Sequence, residues 1–268
     1  YDIHELVYED IRTKNWITSK TLKYYLAGFY KALEGLAFKY FDGIILAEDG
    51  YKDFYEMHYP KYISKITYIR NYPIKSMFNL SNKDNIKVDV EENSIIYIGA
   101  ISENRGVVEL VEAMDFLDDT FKLYIIGRWS DSLLLEKCKK LLGWSKVHIL
   151  GYLKPDQIGE YIQKSKIGMC TLHRLENFAY TTPVKSFEYL INGLPIVMTD
   201  FPFWKDFYNG TAVFVDPKQP KEIAKVIVKL INDKTVYNQL SSNGIKLALN
   251  NCWENEEQKL LNLYKKLV

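Results

Sequence analysis

A chain of 268 residues is long for one α/β domain and adequate for one domain plus part of another. Its 35 Lys and Arg face 34 Asp and Glu, so no overall field draws it to nucleic acid or to an anionic surface. The 47% hydrophobic and 15% aromatic content suits a well-buried core, and no apolar run reaches the ~18–20 residues of a spanning helix. Cys138, Cys170 and Cys252 show no C-x-x-C spacing and cannot all pair, which fits buried thiols in a reducing compartment. No signal peptide is expected. A cytoplasmic protein is therefore expected.

The first residues, Tyr1-Asp2-Ile3-His4-Glu5, read as the end of a strand running into a loop. The chain does not begin with Met, and an N-terminal portion preceding it is expected. Thr21–Phe41 is predicted to be a long helix, Gly43–Ala47 a strand, Gly50–His58 a helix and Lys65–Ile69 a strand. Residues 1–90 thus read as the last portion of an α/β domain, with the polar stretch Asn82–Asn93 as the linker. The long helix sets Lys20, Lys23, Lys31 and Lys39 among Tyr24, Tyr25, Phe29, Tyr30 and Phe38. Packing under the first sheet is the preferred account, and peripheral contact with a membrane the alternative.

From Ser94 onward strands and helices alternate. Ser94–Gly99, Phe121–Gly127, Val147–Leu150, Lys166–Leu172, Pro195–Thr199 and Ala212–Asp216 are short apolar runs. Helical patterns at Val107–Leu117, Ser132–Leu142 and Pro155–Lys164 lie between them. Apolar runs with little alternation are buried on both faces, as in a parallel sheet flanked by helices. Lys221–Asn232 and Lys234–Asn250 close this domain, assigned to residues 91–250. Residues 251–268 form a last helix, Glu254–Val268.

The segment Thr182-Pro183-Val184-Lys185-Ser186-Phe187-Glu188-Tyr189-Leu190-Ile191-Asn192-Gly193-Leu194-Pro195 carries most of the chemistry. Thr182 is a suitable N-cap, Pro183 fits the first helical position, and Gly193 with Pro195 ends the element. Lys185 then sits in the first turn, where the helix dipole disfavours a cation. Two readings stand. Lys185 and Glu188, three residues apart, form an exposed ion pair worth a few tenths of a kcal/mol (~0.2–0.5). Otherwise an anion binds there, with Lys185 on a phosphate and Glu188 accepting from ribose hydroxyls. The loop Gly99-Ala100-Ile101-Ser102-Glu103-Asn104-Arg105-Gly106 offers a second cation, Arg105, at another strand end. Arg105 as a bidentate fork and Lys185 as a point charge could grip a diphosphate from two sides.

Several signatures are absent. No G-x-G occurs, so there is no G-x-G-x-x-G fingerprint, and there is no phosphate loop of the G-x-x-x-x-G-K-[ST] type. There is no kinase set, no D-x-D, no G-x-S-x-G and no His/Cys cluster with metal-ligand spacing. A metal is not required.

Tyr97–Asp216 resembles the nucleotide-sugar-binding domain of the family 4 retaining glycosyltransferases, also called glycosyl transferases group 1, which have the GT-B fold. The resemblance rests on Gly99 through Arg105-Gly106, Tyr124-Ile125-Ile126-Gly127, and Gly151-Tyr152 with Ile158 and Tyr161. Its strongest part is Pro183-Val184-Lys185-Ser186-Phe187-Glu188-Tyr189 with Gly193 and Pro195-Ile196-Val197. Asp2-Ile3-His4-Glu5 resembles the D-x-H loop of the family's first domain, and Asn71-Tyr72-Pro73 lies where the chain leaves that domain. The resemblance implies an α/β GT-B protein with a complete Rossmann-like C-terminal domain and the second half of an N-terminal, acceptor-side one. The last helix would cross back to the first domain.

By the same resemblance Arg105 and Lys185 hold the donor diphosphate, Glu188 the ribose, and Gly99 and Gly106 the phosphate loop. Gly127 and Arg128 lie near the nucleotide or base, and His4 faces the cleft near the sugar and acceptor. A turn-capping role for His4 is the competing reading. The implied activity moves a sugar from a UDP- or GDP-sugar to a glycan or lipid-linked acceptor, with retention and without a further cofactor. Bacterial surface polysaccharide assembly is the implied setting, in the cytoplasm or at the inner face of the membrane, with no nucleic-acid partner. Two positions depart from the family: Tyr180 stands where many relatives have a second glutamate, and Ala100 where the phosphate loop has an arginine. Glu176 lies four residues too early to replace the former. A nucleotide-sugar 2-epimerase and a non-catalytic nucleotide-sugar-binding protein are the rivals. Without the opening strands of the first domain, donor binding with little transfer is expected.

His148 reads as a packed or edge histidine, His58 as a helix-end surface residue, and His173-Arg174 as a candidate contact to the sugar.

Overall fold

The structure is a computed structural model that describes residues 1–13, 17–75 and 93–267. It divides into two compact units, Tyr1–Tyr72 with Glu176–Thr182 and Trp253–Val268, and Pro73–Leu175 with Pro183–Cys252. Residues 82–92 of the expected linker lie outside the described residues.

In the first unit, β1 (Asp2–Ile3) leads through α1 (Val7–Thr13) and α2 (Lys20–Tyr40) to β2 (Ile44–Leu46), then through α3 (Lys52–His58) to β3 (Ile66–Tyr68). The three strands form a parallel sheet in the order β1-β2-β3. Asp2 aligns with Ile45, and Ile45 with Thr67. Ile3, Phe38, Ile44, Leu46, Tyr51, Tyr55 and Tyr59 form its core, with the Phe38 and Tyr59 rings edge-on at 4.9 Å. Ser19 caps α2 by accepting from the Leu22 amide at 3.2 Å. Ala27, Glu34 and Phe38 form the buried stripe of that helix, as expected for packing under the sheet. The buried Glu34 carboxylate accepts from the Tyr55 hydroxyl at 3.3 Å, and burial holds its pKa above the ordinary range. The opposite face of α2 is apolar and exposed. The predicted helix at Gly50 begins instead as a 3-10 turn, Asp49–Tyr51, before α3.

The second unit is built on six parallel strands. After β4 (Ser94–Ile98) and α4 (Val107–Met114) come β5 (Lys122–Ile126), α5 (Ser132–Lys139), β6 (Val147–Gly151), α6 (Pro155–Lys164) and β7 (Ile167–Cys170). The short α7 (Glu176–Ala179) belongs to the first unit. Then follow α8 (Val184–Ile191), β8 (Ile196–Thr199), α9 (Pro202–Phe207), β9 (Ala212–Val215), α10 (Pro220–Asn232) and α11 (Lys234–Asn250). The sheet order is β6-β5-β4-β7-β8-β9, so the strand order reverses between β4 and β7. That is the switch point at which open parallel sheets bind ligands, outside the carboxyl ends of their strands. Every residue of β4, β7 and β8 is buried, which explains why they read as unbroken apolar runs. The predicted helix Ser132–Leu142 stops at Lys139, and Leu142–Lys146 forms a 3-10 turn.

Two later stretches complete the first unit. In the last helix, α12 (Trp253–Leu267), the buried Glu256 carboxylate accepts from the Arg70 amide at 3.0 Å and from its guanidinium at 3.3 Å. Arg70 also pairs with Asp49. In 176–182, the Thr182 amide and hydroxyl both donate to Glu48 Oε2 at 2.9 Å. Thr182 therefore does not cap α8. Pro183 occupies the N-cap position with no side-chain hydrogen bond, because the threonine hydroxyl is held by a carboxylate distant in sequence. Among the described residues no helix is long and apolar enough to cross a membrane.

Two outcomes follow from these contacts. The Tyr189 hydroxyl in α8 is fully buried and accepts from the Ile98 amide at 2.9 Å, tying the helix to the end of β4. Tyr189→Phe leaves that amide unsatisfied and lowers unfolding stability in urea by about 1–3 kcal/mol; an unchanged midpoint would contradict it. Burial pushes the Glu48 carboxyl up to about 7, against the opposing pull of the Thr182 donors. The folded state then holds this proton more tightly than the unfolded chain. Its stabilisation is full below the ordinary glutamate range and is lost as pH rises toward about 7. Glu48→Gln keeps an acceptor for Thr182, so urea midpoints measured from pH 5 to pH 8 should fall less steeply in that variant.

Candidate functional site

Lys185 lies in the first turn of α8 with no carboxylate within ion-pair reach among the described residues. The residue is only 9% exposed, and its Nζ is buried without a hydrogen-bond partner among the described residues. Instead the ammonium sits 4.0 Å from the centroid of the Tyr97 ring, a cation–π contact. Tyr97, in β4, is itself fully buried, and its hydroxyl donates to the Ala100 carbonyl at 2.7 Å. The cation is thereby stacked beside the strand end from which the Gly99–Gly106 loop departs. Spacing places Lys185 and Glu188 on one face, but the exposed ion pair does not form: the lysine turns to the ring. Burial raises the Glu188 pKa, and the nearby Lys185 charge opposes the rise.

The loop at the end of β4 requires its glycines. Gly106 has φ +72°, and a Cβ there would lie 2.0 Å from the Thr171 carbonyl oxygen at the end of β7. Gly127 has φ +151°, and a Cβ there would lie 1.8 Å from the Gly99 carbonyl oxygen. The exits of β4, β5 and β7 thus pack backbone against backbone. The Ile101 amide donates to the Arg128 carbonyl at 2.9 Å, and the His173 amide to the Asn104 carbonyl at 2.9 Å. Arg105 ends the 3-10 turn Glu103–Arg105 just before α4. Burial raises the Cys170 thiol pKa at the end of β7, with Lys185 and Arg105 both pulling it down. The charges of Lys185 and Arg105 are thus both felt at the end of β7, and the amide-bearing starts of α4 and α8 add partial positive charge at the strand ends. No anion of the described protein neutralises Lys185. This arrangement can hold a phosphate group.

Gly99, Arg105, Gly106, Gly127, Lys185 and Glu188 are accordingly gathered in the second unit around its switch point. Arg128 adjoins them in sequence, with its guanidinium 4.8 Å from the centroid of the Tyr152 ring. His4 belongs to the first unit. Its Nδ1 lies 2.9 Å from the Asn71 amide nitrogen and its Nε2 3.0 Å from the Asp2 carboxylate. Asn71 donating and Asp2 accepting would fix the tautomer with the proton on Nε2. The ring is held locally at the end of β1, as a turn histidine would be.

His173-Arg174 is committed elsewhere. The buried His173 Nε2 lies 2.9 Å from Glu109 Oε1, which also accepts from Lys218 Nζ at 2.8 Å. Arg174 pairs with Asp200 at 2.6 Å and with Asp216 at 3.3 Å. Both side chains brace the strand-end loops. His148 lies on the edge strand β6 beside Tyr124, and His58 ends α3 stacked on Phe54 at 4.3 Å. Tyr97 and Glu109 were not recognised as site residues from sequence. The sign of Tyr97 in the sequence was an aromatic hydroxyl among the isoleucines of a buried strand.

A family model described as glycosyl transferases group 1 matches residues 80–247, well over half of the chain. The chain belongs to this family. An uncharacterized glycosyltransferase of Methanocaldococcus jannaschii is 23% identical over 201 residues, covering 71% of this chain and 53% of that protein. The chain thus spans about half the length of the curated relative it matches. Sucrose-phosphate synthase from Thermosynechococcus elongatus superposes with a TM-score of 0.72 at 15% identity, covering 99% of this chain and 67% of that one. HepE of Anabaena, in complex with UDP and glucose, gives 0.74 at 13% identity, covering 99% and 71%. At such identities the likeness establishes the fold, which is GT-B.

In this member of the group 1 family the buried cation sets a test of site against scaffold. An ammonium without an anion costs stability, and the Tyr97 ring offsets only part of that cost. Lys185→Met keeps the bulk and removes the charge. Its urea stability should equal the parent's or exceed it by up to about 2 kcal/mol, while nucleotide diphosphate binding is lost. A loss of stability larger than about 1 kcal/mol would instead make Lys185 a structural residue.

Proposed function

We propose that this chain carries the donor side of a retaining glycosyltransferase, using a UDP- or GDP-sugar and passing the sugar to a glycan or lipid-linked acceptor. The observation that carries the reading is the buried, unpaired Lys185 ammonium at the switch point, with Arg105 on the adjoining loop. A diphosphate placed there supplies the missing anion. Glu188, on the same face of α8 as Lys185, is suited to accept from the ribose hydroxyls, and Gly127 with Arg128 to border the base. HepE's complex with UDP and glucose makes UDP the first nucleotide to test.

The chemistry follows from the leaving group. As the anomeric C–O bond breaks, its electron pair passes to the diphosphate, and the sugar becomes oxocarbenium-like. Arg105, Lys185 and the starts of α4 and α8 stabilise the charge gathering on the phosphate oxygens, as an oxyanion hole does. The acceptor hydroxyl bonds to the anomeric carbon on the face the diphosphate leaves, and its proton goes to a departing phosphate oxygen. No carboxylate nucleophile and no resident metal or cofactor is needed in this scheme. Assembly of bacterial surface polysaccharide, in the cytoplasm or at the inner face of the membrane, is the setting proposed. Tyr180 and Ala100, in place of charged residues, favour as a second reading a nucleotide-sugar-binding protein without transfer.

Calorimetric titration with UDP, GDP, ADP and CMP tests the proposal. One nucleotide diphosphate should bind selectively, weakened at least about tenfold (~1.4 kcal/mol) by Lys185→Ala and also weakened by Glu188→Ala. Equal heats in the parent and both variants would remove the site.

A further inference from the structure

We propose that His173 is a positioning residue for the donor diphosphate, holding Arg105 and the start of α4 in place from the end of β7. The inference rests on the donor reading above and adds to it a residue that acts through others. Two hydrogen bonds carry it. The His173 amide donates to the Asn104 carbonyl at 2.9 Å, and the ring Nε2 lies 2.9 Å from Glu109 Oε1. Asn104 and Glu109 bound the stretch that holds Arg105, Gly106 and the first residues of α4. One residue therefore ties down both ends of that stretch. Between the ends Gly106 lies against the Thr171 carbonyl, where a Cβ would come to 2.0 Å. All three contacts come from residues 171–173, just past β7.

The chemistry of the pair fixes its direction. Burial raises the Glu109 pKa, but the hydrogen bonds from Lys218 and His173 outweigh it and hold the carboxyl below its ordinary range. An ionised carboxylate only accepts, so His173 presents a protonated Nε2. The bond is charge-assisted and enclosed, its two side chains being 10% and 11% exposed. Lys218 reaches the same oxygen at 2.8 Å, but its side chain is 58% exposed and water weakens that attraction. His173 is the firmer of the two ties on Glu109. Glu109 stands in the first turn of α4, whose amides have no partner inside the helix. Fixing that turn fixes what those amides and Arg105 can reach. A displacement of about 1 Å in a positioning contact can cost as much as about 100-fold.

Calorimetric titration of the full chain with UDP and with uridine tests this, in the parent and in His173→Leu, His173→Gln and Lys185→Met. The parent's preference for UDP over uridine should shrink about three- to tenfold in His173→Leu, with uridine affinity unchanged. His173→Gln, whose amide N–H can reach Glu109 as the ring does, should restore most of that preference. If His173→Leu shows no cooperative urea transition, His173→Asn, whose amide stops short of Glu109, serves as the deletion. A preference unchanged by the deletion but closed by Lys185→Met overturns the positioning role and leaves the donor site standing. A lowered urea midpoint with the preference intact, or a loss that His173→Gln does not restore, makes His173 a structural brace and overturns it too. If the parent shows no preference for UDP, the donor reading fails and this inference falls with it.

Discussion

A lysine that is nine-tenths buried and makes no hydrogen bond is expensive for any fold to keep, and the second unit is arranged around one. The Tyr97 ring 4.0 Å away returns part of the lost hydration. For the ring to do so it must be fixed, and its hydroxyl is anchored on Ala100. For the lysine to reach it α8 must be fixed, and Tyr189 binds the Ile98 amide. Both anchors lie at the end of β4, where the strand order reverses. The charge is thus held in place before any ligand arrives, which is the condition for electrostatic stabilisation without reorganisation.

The same constraint explains the tight backbone packing at the switch point. Gly106 against Thr171 and Gly127 against Gly99 leave no room for side chains. His173, Glu109 and Lys218 then link the end of β7 to the first turns of α4 and the approach to α10. Arg174 with Asp200 and Asp216 does the same for the loops after β8 and β9. These charged groups are occupied with one another. Among the described residues Lys185 has no such partner.

Much of the fold was legible in sequence because parallel strands buried on both faces have few polar residues to confuse the pattern. All six strands of the second unit and its long closing helices were read at nearly their observed positions. The short helices α1 and α9 were not, since six or seven residues carry too little periodicity. The site was half legible. Arg105, Lys185 and the glycines follow from cations and turns at strand ends, a local signal. The capping role given to Thr182 failed because its true partner, Glu48, lies 134 positions away. The Lys185–Glu188 ion pair failed for a similar reason: helix spacing allows it, but a ring on β4 offers the ammonium a buried position instead. Long-range competition of this kind leaves no mark in a single sequence.

The central claim is that the Lys185 charge exists to meet a diphosphate. Comparing UDP with uridine by calorimetric titration, in the parent chain and in Lys185→Met, tests it most directly. The account predicts that UDP binds the parent about 10- to 100-fold more tightly than uridine, a gap of roughly 1.4–2.8 kcal/mol that largely closes in the variant. Equal affinity for the two ligands in the parent, or a gap unchanged by Lys185→Met, would contradict it.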